Sequence, residues 1–256
     1  MLANRFSLIV LLELLLLGCF AQELKITHGP YLQAISENEV TIVWTTNKKA
    51  TSWVELAEND IASFYGKEQK KIYEINHGIR HTGTLHRVKV KNLKPGTTYK
   101  YRICSQSIES DKPYDISLGK IVATDVFGKS PLRFKTLDSK KPSASVYVIN
   151  DIHGNNDKIE SMLREVKFEN TDAVIFNGDM IDYVTDENTI FSGFMDQSVS
   201  MFASEVPVFF ARGNHETRGP FKEEFPNYFP TNEGSLYYRV DSSTKCNLLN
   251  LFVKLS

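Results

Sequence analysis

Three short clusters in the second half of the chain carry residue types suited to metal-assisted hydrolysis. They are Asn150-Asp151-Ile152-His153-Gly154, Asn177-Gly178-Asp179-Met180-Ile181-Asp182 and Gly213-Asn214-His215-Glu216. Carboxylate oxygen, amide oxygen and imidazole nitrogen are the donors that hard and borderline divalent cations take. Glycines beside them let the backbone turn sharply and approach an ion closely. Two such ions, roughly 3.5–4 Å apart, can share a carboxylate and a hydroxide and clamp a phosphoryl group for in-line attack. Singly, each cluster is a weak signal, since Asp-x-His fits an ordinary turn and Gly-Asp-x-x-Asp a helix N-cap.

Their positions strengthen the reading. Each cluster closes an apolar run: Val146-Tyr147-Val148-Ile149, Ala173-Val174-Ile175-Phe176 and Val206-Pro207-Val208-Phe209-Phe210. Continuous runs of this kind mark strands buried on both faces. Between them Ile159, Met162, Leu163 and Val166 recur at helical spacing, and Ile190, Phe191, Phe194 and Met195 suggest a second helix. Strand–helix–strand–helix–strand predicts a largely parallel sheet with helices packed on it. Such a sheet delivers its carboxyl ends to one rim, where ligands bind. The three clusters should therefore meet.

The first half has another rhythm. From Glu23 to about Leu137, short runs such as Val40-Thr41-Ile42-Val43-Trp44-Thr45 and Trp53-Val54-Glu55-Leu56 are broken by turn residues. His86-Arg87-Val88-Lys89-Val90 and Tyr99-Lys100-Tyr101-Arg102-Ile103 alternate as half-buried strands do. Between those two runs, Leu93-Lys94-Pro95-Gly96-Thr97-Thr98-Tyr99 has the layout of a tyrosine corner. The segment predicts a β-sandwich close to the usual size of about 100 residues. Ser139-Lys140-Lys141-Pro142-Ser143 reads as a linker.

With 256 residues, 41% hydrophobic and 24% charged, the composition is that of a folded globular chain. A formal net charge of -1 gives no broad attraction to nucleic acid or anionic membrane, so an anionic substrate must be held locally. Arg5 followed by the apolar run from Leu8 to Leu17 reads as a leader, too short to span a bilayer. Residues 1–21 then form a signal peptide cleaved after Ala21. Alternatively, Leu16-Leu17-Gly18-Cys19 is a lipobox and Cys19 a lipid-anchored first residue. The corresponding destinations are secreted or periplasmic, or an outer-membrane or cell-surface lipoprotein. Cys104 and Cys246 could form one disulfide; two unpaired core cysteines are the favoured reading.

Asp-Ile-His, Gly-Asp-Met-Ile-Asp and Gly-Asn-His-Glu together resemble the first three motifs of the calcineurin-like metallophosphoesterases. The preceding sandwich is similar to the N-terminal domain of purple acid phosphatases, with Gly29-Pro30-Tyr31-Leu32-Gln33 near its start and Phe134-Lys135-Thr136 in its last strand. The resemblance spans roughly residues 27 to 241. It implies a fibronectin III-like all-β sandwich over 23–138, followed by a partial α/β metallophosphoesterase domain over 144–256. The implied activity is metal-dependent hydrolysis of phosphate esters, with a bridging hydroxide as nucleophile. The implied cofactors are two divalent or trivalent ions (Zn, Mn or Fe). Asp151 and His153 would bind the first ion, Asp179 would bridge both, and Asn214 would bind the second. His215 would protonate or stabilise the leaving oxygen, and Asp182 would orient its ring. Arg212 and Arg218 flank the third motif, where steering phosphate and serving as ordinary surface arginines are the two open readings.

The resemblance has departures. The charge-transfer tyrosine of purple acid phosphatases falls at Asp182, with Tyr183 one position late, and His153 stands where they have glycine. A loaded site is therefore expected to be colourless or weakly coloured. The family completes its site with later histidines, and none follows His215. His28, His77, His81 and His86 read as surface or packing residues. The resemblance fades from Ser242, which leads to the expectation of a truncated or frame-shifted frame with impaired activity and an uncovered sheet face. The alternatives are a surface-binding sandwich with an inert remnant, and an intact but inactive member.

Overall fold

A computed structural model describes residues 22–59, 68–126, 128–231, 239–241 and 247–250. The leader, Cys19 and Cys246 lie outside them. The first half is all β: β1 (Ile26–Gln33), β2 (Glu39–Glu58), β3 (Lys70–Tyr73), β4 (Ile75–Asn76), β5 (Ile79–Arg80), β6 (Thr82–Lys91), β7 (Thr98–Lys112), β8 (Asp115–Ala123) and β9 (Leu132–Lys135). The two β-branched runs around Trp44 and Trp53 belong to one strand, β2, of 20 residues. Its first part pairs with β1 and β6 and its second with β3 and β7, across a register shift between Thr45 and Ala50. That shift lets a single strand serve both layers of the sandwich.

Alternation decides which side chains enter the sandwich core. Ile42, Trp44, Val88, Val90, Tyr101, Ile103 and Phe134 are all buried in one cluster. Trp44 Nε1 donates to Ser105 Oγ at 2.9 Å, which removes the polar cost of burying the indole. The tyrosine corner forms: the Tyr99 hydroxyl accepts the Lys94 N–H at 2.9 Å. Cys104 is buried in β7, and burial pushes its thiol up to about 12, the mark of an inert packing residue. The linker is tied at its start, by Ser139 N–H to Glu37 at 2.7 Å, and at its middle, by Lys141 to Asp172 at 2.6 Å.

The second half contributes β10 (Val146–Ile149), β11 (Ala173–Asn177) and β12 (Val208–Ala211), parallel and in that order. Helix α1 (Asn156–Leu163) starts where Asn155 accepts the Lys158 N–H, and it turns Ile159 and Leu163 inward. A second helical run begins at α2 (Glu187–Ile190), capped by the Asp186 carboxylate on Thr189 N–H at 2.8 Å. It continues to residue 203 through two π-turns, Phe191–Met195 and Val199–Ala203.

Period two also sorts the sheet. Val174, Phe176, Val208 and Phe210 join the cluster of helical and aromatic residues, with Phe194, Phe225 and Phe229. Ala173, Ile175, Phe209 and Ala211 on the other face are buried in the same cluster as Leu32, Trp44 and Tyr101 of the sandwich. The expected bare sheet face is thus largely covered at β11 and β12. Strand β10 corrects a second expectation: it lies at the edge, and Tyr147 and Val148 remain 37% and 53% exposed rather than buried on both faces. Hydrogen bonds join the halves, from Tyr31 hydroxyl to Tyr228 O at 2.8 Å and from Tyr101 hydroxyl to Ser204 O at 2.6 Å. His28 stacks on Phe191 at 4.0 Å and places Nδ1 2.9 Å from Asp196. Among the described residues no helix is long and apolar enough to cross a membrane.

Candidate metal centre

The three clusters meet at the carboxyl ends of β10, β11 and β12, laced by backbone bonds. Asp151, His153 and Gly154 donate their N–H groups to the carbonyls of Gly178, Asp179 and Met180, at 3.2, 3.2 and 2.8 Å. Asp179 Oδ1 accepts the His215 N–H at 3.0 Å, which ties the second loop to the third. The backbone reaches this arrangement at a cost. Asp151, His153 and Asp179 have φ of 55°, 54° and 55°, the left-handed region that residues with a Cβ avoid. Three non-glycine residues held there side by side are the kind of strain that collects at functional sites.

Two glycines permit the approach. A Cβ on Gly178 (φ 80°) would lie 2.7 Å from the Cα of Gly213, and one on Gly213 would collide with the Asp179 carboxylate. The lock is Glu216, fully buried. Its Oε2 accepts from Asp179 N–H at 3.1 Å and Gly213 N–H at 2.9 Å, and its Oε1 from Met180 N–H at 2.7 Å. Arg212 spends its guanidinium on the same loop, donating to Glu216 O at 3.1 and 2.7 Å and to Lys222 O at 2.7 Å. Partial burial lowers its pKa, but it stays a cation bound to carbonyls.

Among the described residues, His153, Asp182 and His215 form a group whose ligand atoms all lie within 4.8 Å of one another. Asp182 Oδ1 is 2.6 Å from His153 Nδ1 and 3.7 Å from His215 Nδ1. His215 Nδ1 lies closer to the Asp182 carbonyl, at 3.1 Å, and the two rings meet edge-on at 4.7 Å. The Asp182 carboxylate is thus nearer to His153 than to the His215 ring that the resemblance gives it to orient. Asp151 is exposed, with Oδ1 3.9 Å from His153 Nε2 and its other oxygen against the Asn150 amide. Asn214 sits at the start of the short helix His215–Thr217, exposed at the same rim. All six sequence-derived residues therefore lie on the three joined loops. Two imidazoles and a carboxylate at these separations fit a borderline divalent cation, with the carboxylates of Asp151 and Asp179 and the Asn214 amide on the same loops. Glu216 was visible in the sequence only as the end of Gly-Asn-His-Glu, and nothing in its type distinguishes a backbone clamp from a ligand.

Residues 144–253 match the family model of calcineurin-like phosphoesterases, and residues 29–116 match the purple acid phosphatase N-terminal domain. The first match runs past Asp241, where the motif reading ends the resemblance. The chain is thus similar to calcineurin-like phosphoesterases over its second half and to the purple acid phosphatase N-terminal domain over its first. The phosphoesterase family uses divalent metals. A search of curated proteins found no match. Among solved structures, the fibronectin type-III domain of human fibronectin type III domain containing protein 3 is 16% identical, with 50% of this chain and 99% of that one covered and a TM-score of 0.28. The fn3 domain of human collagen alpha-1(XX) chain is 14% identical, with 50% and 98% covered and a TM-score of 0.29. Scores this low add nothing to the strand order itself.

Proposed function

We propose that this chain hydrolyses phosphate esters at the joined rim of β10, β11 and β12, in the manner of an acid phosphatase. The supporting observation is the lacing of three strand-end loops that brings Asp151, His153, Asp179, Asp182, Asn214 and His215 to one rim, with His153, Asp182 and His215 closest together. Asp151, His153, Asp179 and Asn214 would hold the metal ions. Bound metal would supply charge neutralisation at the phosphoryl oxygens and a lowered pKa for water. The chain's own residues do the rest. His215 holds a proton for the leaving oxygen, and the Asp182 main-chain carbonyl fixes the ring tautomer by accepting from Nδ1. Asp179 positions His215 through the backbone bond to its N–H. With a richer donor set for one ion than for a second, turnover by this chain is expected to be slow. Residues 1–21 support export to the periplasm or the exterior.

Metal content and p-nitrophenyl phosphate turnover test the reading. Tightly bound metal and turnover abolished by Asp179→Asn are expected. A folded protein that takes up metal and leaves the ester untouched under all metal conditions overturns it.

A further inference from the structure

Away from the strand-end loops, a groove of about 450 Å³ runs between the outer face of β6 and the segment Pro230–Thr231. Arg87, Lys89 and Lys91 line it at every second position, so all three side chains share one face of the strand. Thr41 stands opposite Lys89 in the β2–β6 register. Its side chain is buried, at 3% exposure, yet among the described residues its hydroxyl has no hydrogen-bond partner. A buried hydroxyl without a partner is costly and rare, and a ligand in the groove that Thr41 lines would complete it. Glu74, also buried, accepts the Arg87 N–H at 2.7 Å and lies 3.8 Å from Arg87 Nε, which braces that strand. Arg87 additionally reaches Asn227 at 3.4 Å, so the groove is anchored from both halves of the chain.

Three cations face Glu74 here and Glu39, which lies 3.5 Å from Lys89, so the balance remains positive. We propose that this groove is an anion site for a small phosphate-bearing molecule, separate from the metal centre. The phosphate would accept from Lys89, Lys91 and the Thr41 hydroxyl. The volume exceeds a bare phosphate, leaving room for a small polar ester beside Asn76.

The test is calorimetric titration of the full chain with inorganic phosphate at constant ionic strength, repeated in His153→Ala. Saturable binding that persists in His153→Ala is expected. It should weaken at least tenfold in Thr41→Val and in Lys89→Gln/Lys91→Gln. Lys91→Gln alone, at an exposed position, keeps the test open if the paired variant misfolds, and it should weaken binding severalfold. Phosphate affinity unchanged in these variants, binding lost with His153→Ala, or equal displacement by chloride would each overturn the proposal.

Discussion

The Glu216 carboxylate accepts the backbone N–H of Asp179 at 3.1 Å, joining the loop after β12 to the loop after β11 from a fully buried position. Three amide donors converge on this one side chain. The interaction holds Asp179 in its left-handed conformation from below while the Asp179 carboxylate stays at the rim.

Glu216→Ala should therefore be among the most damaging substitutions in the chain. It strands three amides beside an emptied volume, and about 3–5 kcal/mol of stability should be lost. Glu216→Gln keeps the volume but brings its own donor against those amides, and should cost about 1–3 kcal/mol. Chemical denaturation reads both values, and metal uptake should fall in parallel. A Glu216→Ala protein of unchanged stability would show that the clamp is dispensable.

Gly178 makes a different demand on the same junction. Its φ of 80° disfavours any side chain, and a Cβ would lie 2.7 Å from the Gly213 Cα, a backbone atom with little room to yield. Gly178→Ala should cost at least about 2 kcal/mol and separate the second and third loops. Thermal unfolding measures the first effect. Loss of metal binding, while the sandwich keeps its strand content by circular dichroism, measures the second.

The contrast between Gly178 and Glu216 shows how much a sequence discloses. Glycine beside Asp179 is legible, because a ligand loop that must turn tightly calls for it. The parallel strands are legible too, since Val174 to Phe176 can only be buried. The role of Glu216 is not, because it depends on which amides the fold brings beneath it. Likewise the exposure of Val148 follows from the edge position of β10, which apolarity does not encode, and one strand β2 looks like two wherever a register shift interrupts it. The pairing of Asp182 with His153 depends on a difference between 2.6 and 3.7 Å, below anything spacing specifies.

Metal loading tests that pairing. His153→Ala removes an imidazole from the densest donor group, and bound metal measured by elemental analysis should drop at least tenfold in affinity. Asp182→Asn, which keeps shape but not charge, should weaken affinity less and leave the fold intact. On the motif resemblance, the tyrosine position of purple acid phosphatases falls at Asp182, so the iron-loaded protein should lack a strong visible tyrosinate band. An intense band that vanishes in Tyr183→Phe would show that Tyr183 reaches the metal.

The sandwich carries its own pH dependence, set by His86. Its ring is buried at 1% exposure, lies 5.3 Å from Trp44 and places Nε2 2.9 Å from Thr46 Oγ1. Burial pushes its pKa down to about 3, with the His81 charge acting in the same direction. The folded state thus holds His86 neutral while the unfolded chain protonates it near the ordinary value of about 6.5. Stability from this group is complete above about 6.5 and declines as pH falls toward 3, because the unfolded state binds the extra proton. The slope approaches 1.4 kcal/mol per pH unit, or about 3 kcal/mol by pH 4. Nearby Glu74 acts in the opposite sense: burial raises its pKa, so its contribution is present at low pH and lost as pH rises through the folded value. Comparing the chain with His86→Gln cancels most of the Glu74 effect, since both proteins retain it. Between pH 6.5 and 4 the unmodified chain should lose about 6–12 °C more in Tm than the variant does. Parallel Tm curves for the two proteins would mean that His86 takes up its proton in the folded sandwich as readily as in the unfolded chain.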